Sequence, residues 1–547
     1  MIARLIKNKF LSGRPTQSVM AAAFIISSAG IASRILGLFR DRILAATFGA
    51  GDILDAYYAA FRIPDMIYNL LILGALSAAF IPVFTQLISK DKEEEAWDLA
   101  NGVLNVQILI MSVVTIILAF FAPFVMSVIT PGFSNGKMEL TVLFTRIMFL
   151  SPLILGISGI FGGVLVSMKK FLIYSLAPIM YNLGIIFGAV FLVKIIGPAG
   201  LAVGVVLGAF FHMLIQYPAL KFSGFKFHFM PKKSFQNKDV IKVAHLMVPR
   251  MMGVAVNQIN FLVITIFAST LTAGSLAVFN FANNIQSAPL GLFGVSFAIA
   301  VFPSLSSFYA KNEKEKFVGA FSKTFRQILF FVIPISVLMF ALRAQIVRVI
   351  LGSGQFDWQD TILTFQTLGV LLISLFAQSL IPLLARSFYA VHNTRTPFYI
   401  ALFSETINIL LVFSLIGEFK ILGLAIAFSV SNIVNMILLL YFLKKQFGDI
   451  GEKYILKSGI KILTASLAAV LAVQFGKNII GSKGELDTFV EILAQLVIAG
   501  GFGIAAFSLA SYVLNIEEFF GFIDSVSRKV FKTKSAIQED TGKVSGL

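Results

Sequence analysis

Long runs of apolar positions alternate with short polar breaks along almost the whole chain. An α-helix rises about 1.5 Å per residue, so ~20 apolar residues cross the ~30 Å of hydrocarbon in a bilayer. Membrane-spanning strands would instead show ~10-residue segments of strict alternation, and the pattern lacks them. The apolar runs predict fourteen helical spans, at about 18–48, 55–89, 96–128, 138–168, 173–194, 199–220, 240–269, 275–309, 317–342, 359–391, 397–416, 421–443, 455–476 and 489–519. The expected fold is an all-α polytopic membrane protein. Composition agrees: 58% of the 547 residues are hydrophobic and 13% charged, with a mean hydropathy of +0.89. A soluble globule carries about a quarter charged residues. The basic start, MIARLIKNKFLSGR, runs into the first span with no small-residue cleavage site, so that span is expected to be retained.

The polar breaks differ in charge. Both ends of the chain and the even-numbered loops carry the basic stretches, among them KDKEEE, KFSGFKFHFMPKKSFQNKDVIK, KNEKEK and KKQFGDIGEK. The odd-numbered loops carry little Lys or Arg. Basic residues collect on the cytoplasmic side of membrane proteins, so both termini are expected there, in a multi-pass protein of the cytoplasmic membrane. The net charge of +17 then reads as orientation and contact with anionic membrane lipids. Nucleic-acid binding is the poorer reading, because the basic residues are spread over short loops and form no single patch.

The chain repeats itself at an interval of about 220 residues. FIPVFTQLISKDKEEEA resembles VFPSLSSFYAKNEKEKF, setting Pro82 against Pro303 and Lys90 against Lys311. VLVSMKKFLIYSLAP, ending at Pro178, resembles LLARSFYAVHNTRTP, ending at Pro397. GLAVGVVLGAF resembles GLAIAFSVSNI, and SRILG resembles PRMMG. Four matches in one order indicate duplication. Each copy holds six spans, an even number, so both copies point the same way and form parallel repeats. The expected organisation is a basic cytoplasmic start (1–17), a six-helix lobe (18–222) and an amphipathic cytoplasmic linker (223–238). A second, pseudo-symmetric six-helix lobe (239–446), two further helices (447–520) and a basic tail (521–547) follow.

Charges inside the spans carry the candidate chemistry. SRILGLFRDRILAATFGAG, Ser33 to Gly51, continues the first apolar run without a break and brings Arg34, Arg40, Asp41 and Arg42 with it. A charge at a span's centre costs roughly 2.5–3.5 kcal/mol on insertion scales, and such residues face a bundle interior or a watery cavity. One reading is an internal salt bridge, with Asp41 seven residues beyond Arg34 on nearly the same face. The other is a cationic cavity for an anionic group. Asp55 and Arg62 lie in the second span, and the repeat sets Arg250 in the second lobe where Arg34 stands in the first. Arginine suits such a cavity because its planar fork holds phosphate at two points and stays charged. Gly37 and Pro64 are candidate hinges, since glycine bends cheaply and proline removes a helical hydrogen bond. With no cysteine and four dispersed histidines, thiol chemistry and histidine metal motifs are absent from the sequence. No phosphate-binding G-x-x-x-x-G-K-[ST] motif occurs, so ATP is not expected to drive the protein by that route. Glu139, Glu405 and Glu491 are scattered, which weighs against a membrane-embedded glycosyltransferase.

At these residues the sequence resembles a known family. SRILGLFRDRILAATFGAGDILDAYYAAFRIPD with GALSAAFIPVF resembles the opening of the MurJ (MviN) lipid II flippases. FASTLTAGSLAVFNFANNIQSAPLGLFGVSFAIAVFPSLS resembles their seventh and eighth spans, and GSGQFDWQDT and LLARSFYAVHNTRTP resemble two further stretches. The family belongs to the multidrug/oligosaccharidyl-lipid/polysaccharide exporter superfamily, with two six-helix lobes and two extra helices. The resemblance implies a transporter, not an enzyme: one that moves an undecaprenyl-pyrophosphate-linked peptidoglycan precursor from inner to outer leaflet by alternating access. It places the family's cavity arginines on Arg34 and Arg40 and an acidic residue on Asp55. Other charged positions of the family fall here on Tyr68, Leu73, Ile264 and Asn284. Some members bind sodium between spans seven, eleven and twelve, and of that site Asn408 is kept. The resemblance implies that no cofactor is needed, that sodium is a candidate coupling ion and that other cell-wall synthesis proteins are partners, while the excess positive charge of the cavity suggests the membrane potential as a driving force. Rivals are export of another polyprenyl-linked oligosaccharide and drug export. A carrier of cationic drugs would want acidic cavity residues, and the first-lobe charges are mainly basic.

Overall fold

The computed structural model describes residues 19–70, 76–481, 488–525 and 527; for 19–24, 76–78, 248–250, 252–257 and 480–481 it describes the backbone alone. Every regular element among the described residues is helical. Nine of these helices are long and apolar enough to cross a membrane, and Trp358–Ile373 with Leu375–Ala390, bent by 44°, makes a tenth. One of the nine, Arg395–Phe447, breaks at Lys420 (φ 48°, ψ −123°), which separates the expected eleventh and twelfth spans. Helices also fill the remaining expected spans: Val19–Phe48, Asp52–Tyr68 with Leu76–Ile88, and Lys238–Ser269.

Local chemistry sets many helix ends. The first helix stops at Gly49, whose φ of +63° suits a residue without a Cβ, and Gly49 N–H bonds back to the Ala45 carbonyl at 2.8 Å. The next helix carries Asp52 and Asp55 in its first turn, where negative charge meets the free N–H groups. Asn237 caps the helix Lys238–Ser269, and Thr488 with Glu491 forms a reciprocal cap on Phe489–Val513. The repeat reappears in the backbone. Left-handed residues follow corresponding helices at Asp91 and Asn312 (φ 57° and 56°), at Lys169 and His392 (60° each), and at Gly197 and Lys420 (66° and 48°).

The chain gathers into two compact units. One holds residues up to Phe281 together with Ile350–Leu363 and Val412–Leu424; the other holds the remainder. Helices of the sequence-defined second lobe therefore contribute to the first unit. At the first unit's core, Phe80, Phe84, Leu99, Ile160, Phe161 and Leu220 pack with Val240 and Val243. The expected linker carries a short helix, Pro231–Gln236. It docks on Glu93–Phe120 through two buried amides: Asn101 bonds the Lys226 carbonyl and His228 N–H, and Asn105 bonds the His228 carbonyl and Ser234 Oγ. Phe227, Phe229, Met230 and Phe235 of the linker stay exposed, as befits a segment at a membrane surface.

Candidate substrate-binding site

The first helix, Val19–Phe48, runs unbroken through Gly30 and Gly37, so Ser33, Gly37 and Arg40 fall along one stripe of it. Asn182, on the helix Phe171–Phe187, meets that stripe. Its Oδ1 accepts from Arg40 Nη1 at 3.1 Å, and its Nδ2 reaches Ser33 Oγ at 3.4 Å. A Cβ at Gly37 would stand 3.9 Å from the Asn182 oxygen, an ordinary contact. Gly37 lies inside this continuous helix. Arg40 also donates from Nε and Nη2 to Oδ1 of its neighbour Asp41, at 3.0 and 2.8 Å. Sequence spacing offers Arg34 as one partner for Asp41, and in the structure Arg40 is a partner of Asp41. Asp41 is buried, whereas Arg34 is exposed.

The second helix, Asp52–Tyr68, continues through Pro64 without a break. Arg62 donates from Nε to Thr265 Oγ1 at 2.6 Å and from Nη2 to Asn280 Oδ1 at 2.9 Å, and its guanidinium lies 5.4 Å from the centre of the Phe261 ring. It therefore ties this helix to Lys238–Ser269 and to the start of Ser275–Pro289. One turn on stands Asp65, exposed to solvent. Asp65 and Tyr68 line a small cavity of 10 Å³ with Phe61, Pro64, Ser151 and Pro152.

Asp55 is placed differently from the expectation of a ligand-binding carboxylate. It is only 2% exposed. One oxygen accepts from Lys137 Nζ at 2.7 Å and from Gly274 N–H at 2.8 Å, and the other from Ala277 N–H at 2.9 Å. It caps the helix Ser275–Pro289. Lys137 also pairs with Asp52 at 2.8 Å and lies 4.2 Å over the Phe133 ring. Near this clasp, Asp360 Oδ2 accepts the Ala50 N–H at 2.9 Å.

The other expected residues fall elsewhere. The side chain of Arg250 and all of Leu73 lie outside the described residues. Ile264 is buried in the first unit. Asn284 and Asn408 belong to the second unit. Asn284 is half-buried. Asn408 is fully buried; its amide donates to Glu405 Oε1 at 3.2 Å, and its own oxygen has no hydrogen bond among the described residues. Among the described residues no three His, Cys, Asp or Glu side chains form a metal-binding group. Sequence reasoning missed Asn182, Lys137 and Asp65. Asp65 had a visible signal, a carboxylate one turn from Arg62 inside an apolar run. Lys137 had a weaker one, a lysine in a loop of the charge-poor side.

The family model described as lipid II flippase MurJ matches residues 44–494. The chain belongs to the lipid II flippase MurJ family. A probable lipid II flippase MurJ of Bdellovibrio bacteriovorus is 30% identical over 515 residues, covering 92% of this chain and 96% of that protein. Another, from Vibrio cholerae, is 28% identical over 520 residues, covering 92% and 97%. A solved structure titled lipid II flippase MurJ in an inward closed conformation matches with a TM-score of 0.73 at 26% identity, covering 90% of this chain and 99% of that one. An inward-facing multidrug transporter of the MATE family matches with a TM-score of 0.66 at 14% identity, over 77% of this chain and 96% of that one, and so shares the fold. Membership of the MurJ family makes this a multi-pass membrane transporter and not an enzyme.

Proposed function

We propose that this protein carries lipid II, the undecaprenyl-pyrophosphate-linked peptidoglycan precursor, from the inner to the outer leaflet of the cytoplasmic membrane for cell-wall synthesis. The observation that carries this reading, beside the family match over residues 44–494, is the set of arginines within the first two helices. A lone arginine in hydrocarbon is costly, and a diphosphate is the group that several guanidinium forks bind best. Arg40 and Arg62 are held in place by Asp41, Asn182, Thr265 and Asn280, which fixes their positive charge before a ligand arrives. Arg34, exposed, is the arginine we assign to direct contact with the pyrophosphate.

The transport cycle is alternating access, in which rocking of the repeats exposes the headgroup to one side and then the other. The isoprenoid tail stays in an apolar environment. In the second unit an apolar groove of 680 Å³, with Phe325, Leu329, Phe340, Leu372, Leu456 and Leu463 in its lining, has the matching chemistry. On this reading both termini are cytoplasmic, because the basic loops lie on their side. The membrane potential is the proposed driving force, since moving one charge across it is worth ~2.3 kcal/mol per 100 mV. The Asn408 oxygen beside Glu405 offers the oxygen chemistry a hard cation takes, as a secondary proposal for sodium. The enzymes that consume the exported lipid are its proposed partners.

The test is complementation. A bacterium depleted of its own lipid II flippase should regain growth when this chain is expressed. Arg34→Ala should abolish rescue at normal membrane levels, and Arg34→Lys should restore only part of it, because the planar fork is lost. Full rescue by Arg34→Ala would remove Arg34 from the site.

A further inference from the structure

The other charges of the first two helices are committed to partners. Arg40 holds Asp41, Lys137 holds Asp52 and Asp55, and Arg62 is spent on Thr265 and Asn280. Asp65 is the exception. It makes no hydrogen bond or ion pair among the described residues, it is open to solvent, and Arg62 and Arg40 act on it only through space. It lies thirteen residues into its helix, ~20 Å along the axis, which is deep in a membrane span. A carboxylate kept only for packing inside a span is paired, as Asp41 is; one left open there is kept for what it binds.

The walls say what that is. Asp65 shares with Phe61 and Tyr68 a cavity of 10 Å³, room for one water-sized group such as an ammonium. A carboxylate beside aromatic faces is a site for an ammonium group, which gains both charge pairing and attraction to the rings. Arg62 stands one turn away, ~4.5 Å along the same helix. A ligand carrying phosphate and ammonium together therefore meets the carboxylate beside the positive field of Arg62 and Arg40.

We infer that Asp65 reads the peptide of the carried headgroup by taking an ammonium group, the side-chain amine of the diamino acid in the stem peptide. This rests on the flippase reading above and adds a specificity residue to it. A headgroup seated by its pyrophosphate on Arg34 then has a second fixed point, and a precursor whose amine is masked loses it.

The experiment compares two ligands on the purified full-length protein in detergent: lipid II with its peptide amine free, and the same lipid with that amine acetylated. The native chain should bind the free amine about ten-fold more tightly. Asp65→Asn should bring the two within about two-fold of each other, by weakening the free-amine lipid alone. Asp65→Glu should keep the preference. Equal binding of both lipids by the native chain overturns the inference while leaving the flippase reading standing, and that comparison decides even if Asp65→Asn does not fold. Binding of neither lipid overturns both. A ten-fold preference that survives in Asp65→Asn also overturns the inference. So does a preference seen in choline chloride that vanishes in sodium chloride at equal ionic strength, since the carboxylate would then serve the inorganic cation.

Discussion

At the scale of single residues, the structure separates charges that look alike in sequence. Asp55 and Asp65 sit ten positions apart on one helix. Asp55 is buried among three donors, while Asp65 is open. A carboxylate that accepts from a lysine and two backbone N–H groups is expensive to neutralise, because each donor loses a charged acceptor. Asp55→Asn should therefore destabilise the protein by ~2–4 kcal/mol, read as a lower unfolding midpoint in detergent. Lys137→Met should also destabilise, and the double substitution should cost clearly less than the sum of the two, since they share one interaction. Additive effects would show that the clasp carries no coupling. Arg62 was legible as an intramembrane charge, but its partners Thr265 and Asn280 were not. They lie more than 200 positions away, and no local pattern links them.

At the scale of elements, close packing between helices rests on glycine. Phe171–Phe187, continued by Gly188–Leu192, crosses Ala199–Lys221 where Gly184 meets Gly208 and Gly188 meets Gly204. A Cβ at Gly204 would stand 2.7 Å from the Gly188 Cα, so backbone must move to admit one. In a bilayer such small-residue contacts do much of what water exclusion does elsewhere. Gly204→Leu should therefore yield little folded protein, measured as the monodisperse fraction after detergent extraction, whereas Gly136→Leu, with open space around it, should be tolerated. Equal yields would mean that this crossing is not needed. Gly274 is constrained twice, by φ +87° and by the Ala50 carbonyl in the place of a Cβ. The same residue offers its N–H to Asp55, so the tight turn and the clasp depend on each other.

At the scale of the whole molecule, the alternation of basic and charge-poor loops predicts sidedness. The chain has no cysteine, so single cysteines report cleanly. Ser134, between the third and fourth spans, and Lys311, after the eighth, are both exposed loop residues. A membrane-impermeant thiol reagent on intact cells should label Ser134→Cys and spare Lys311→Cys until the membrane is opened. The reverse pattern would invert the topology.

The sequence by itself determined the elements, the membrane as solvent, the duplication and the family. Each is a local or repeating property: apolar runs of bilayer length, loop charge, and motifs such as SRILG and LLARSFYAVHNTRTP that survive as contiguous strings. Only the tertiary structure decided which charges are spent and which are free. Asp55 and Asp65 belong to the same helix and the same residue type, and their difference comes from Lys137, Gly274 and Ala277, brought to one carboxylate from two other segments. The grouping of 239–281, 350–363 and 412–424 with the first-lobe helices is likewise absent from the repeat pattern. Duplication records ancestry along the chain, whereas packing is set by contacts between distant segments, and only the folded arrangement brings those segments together.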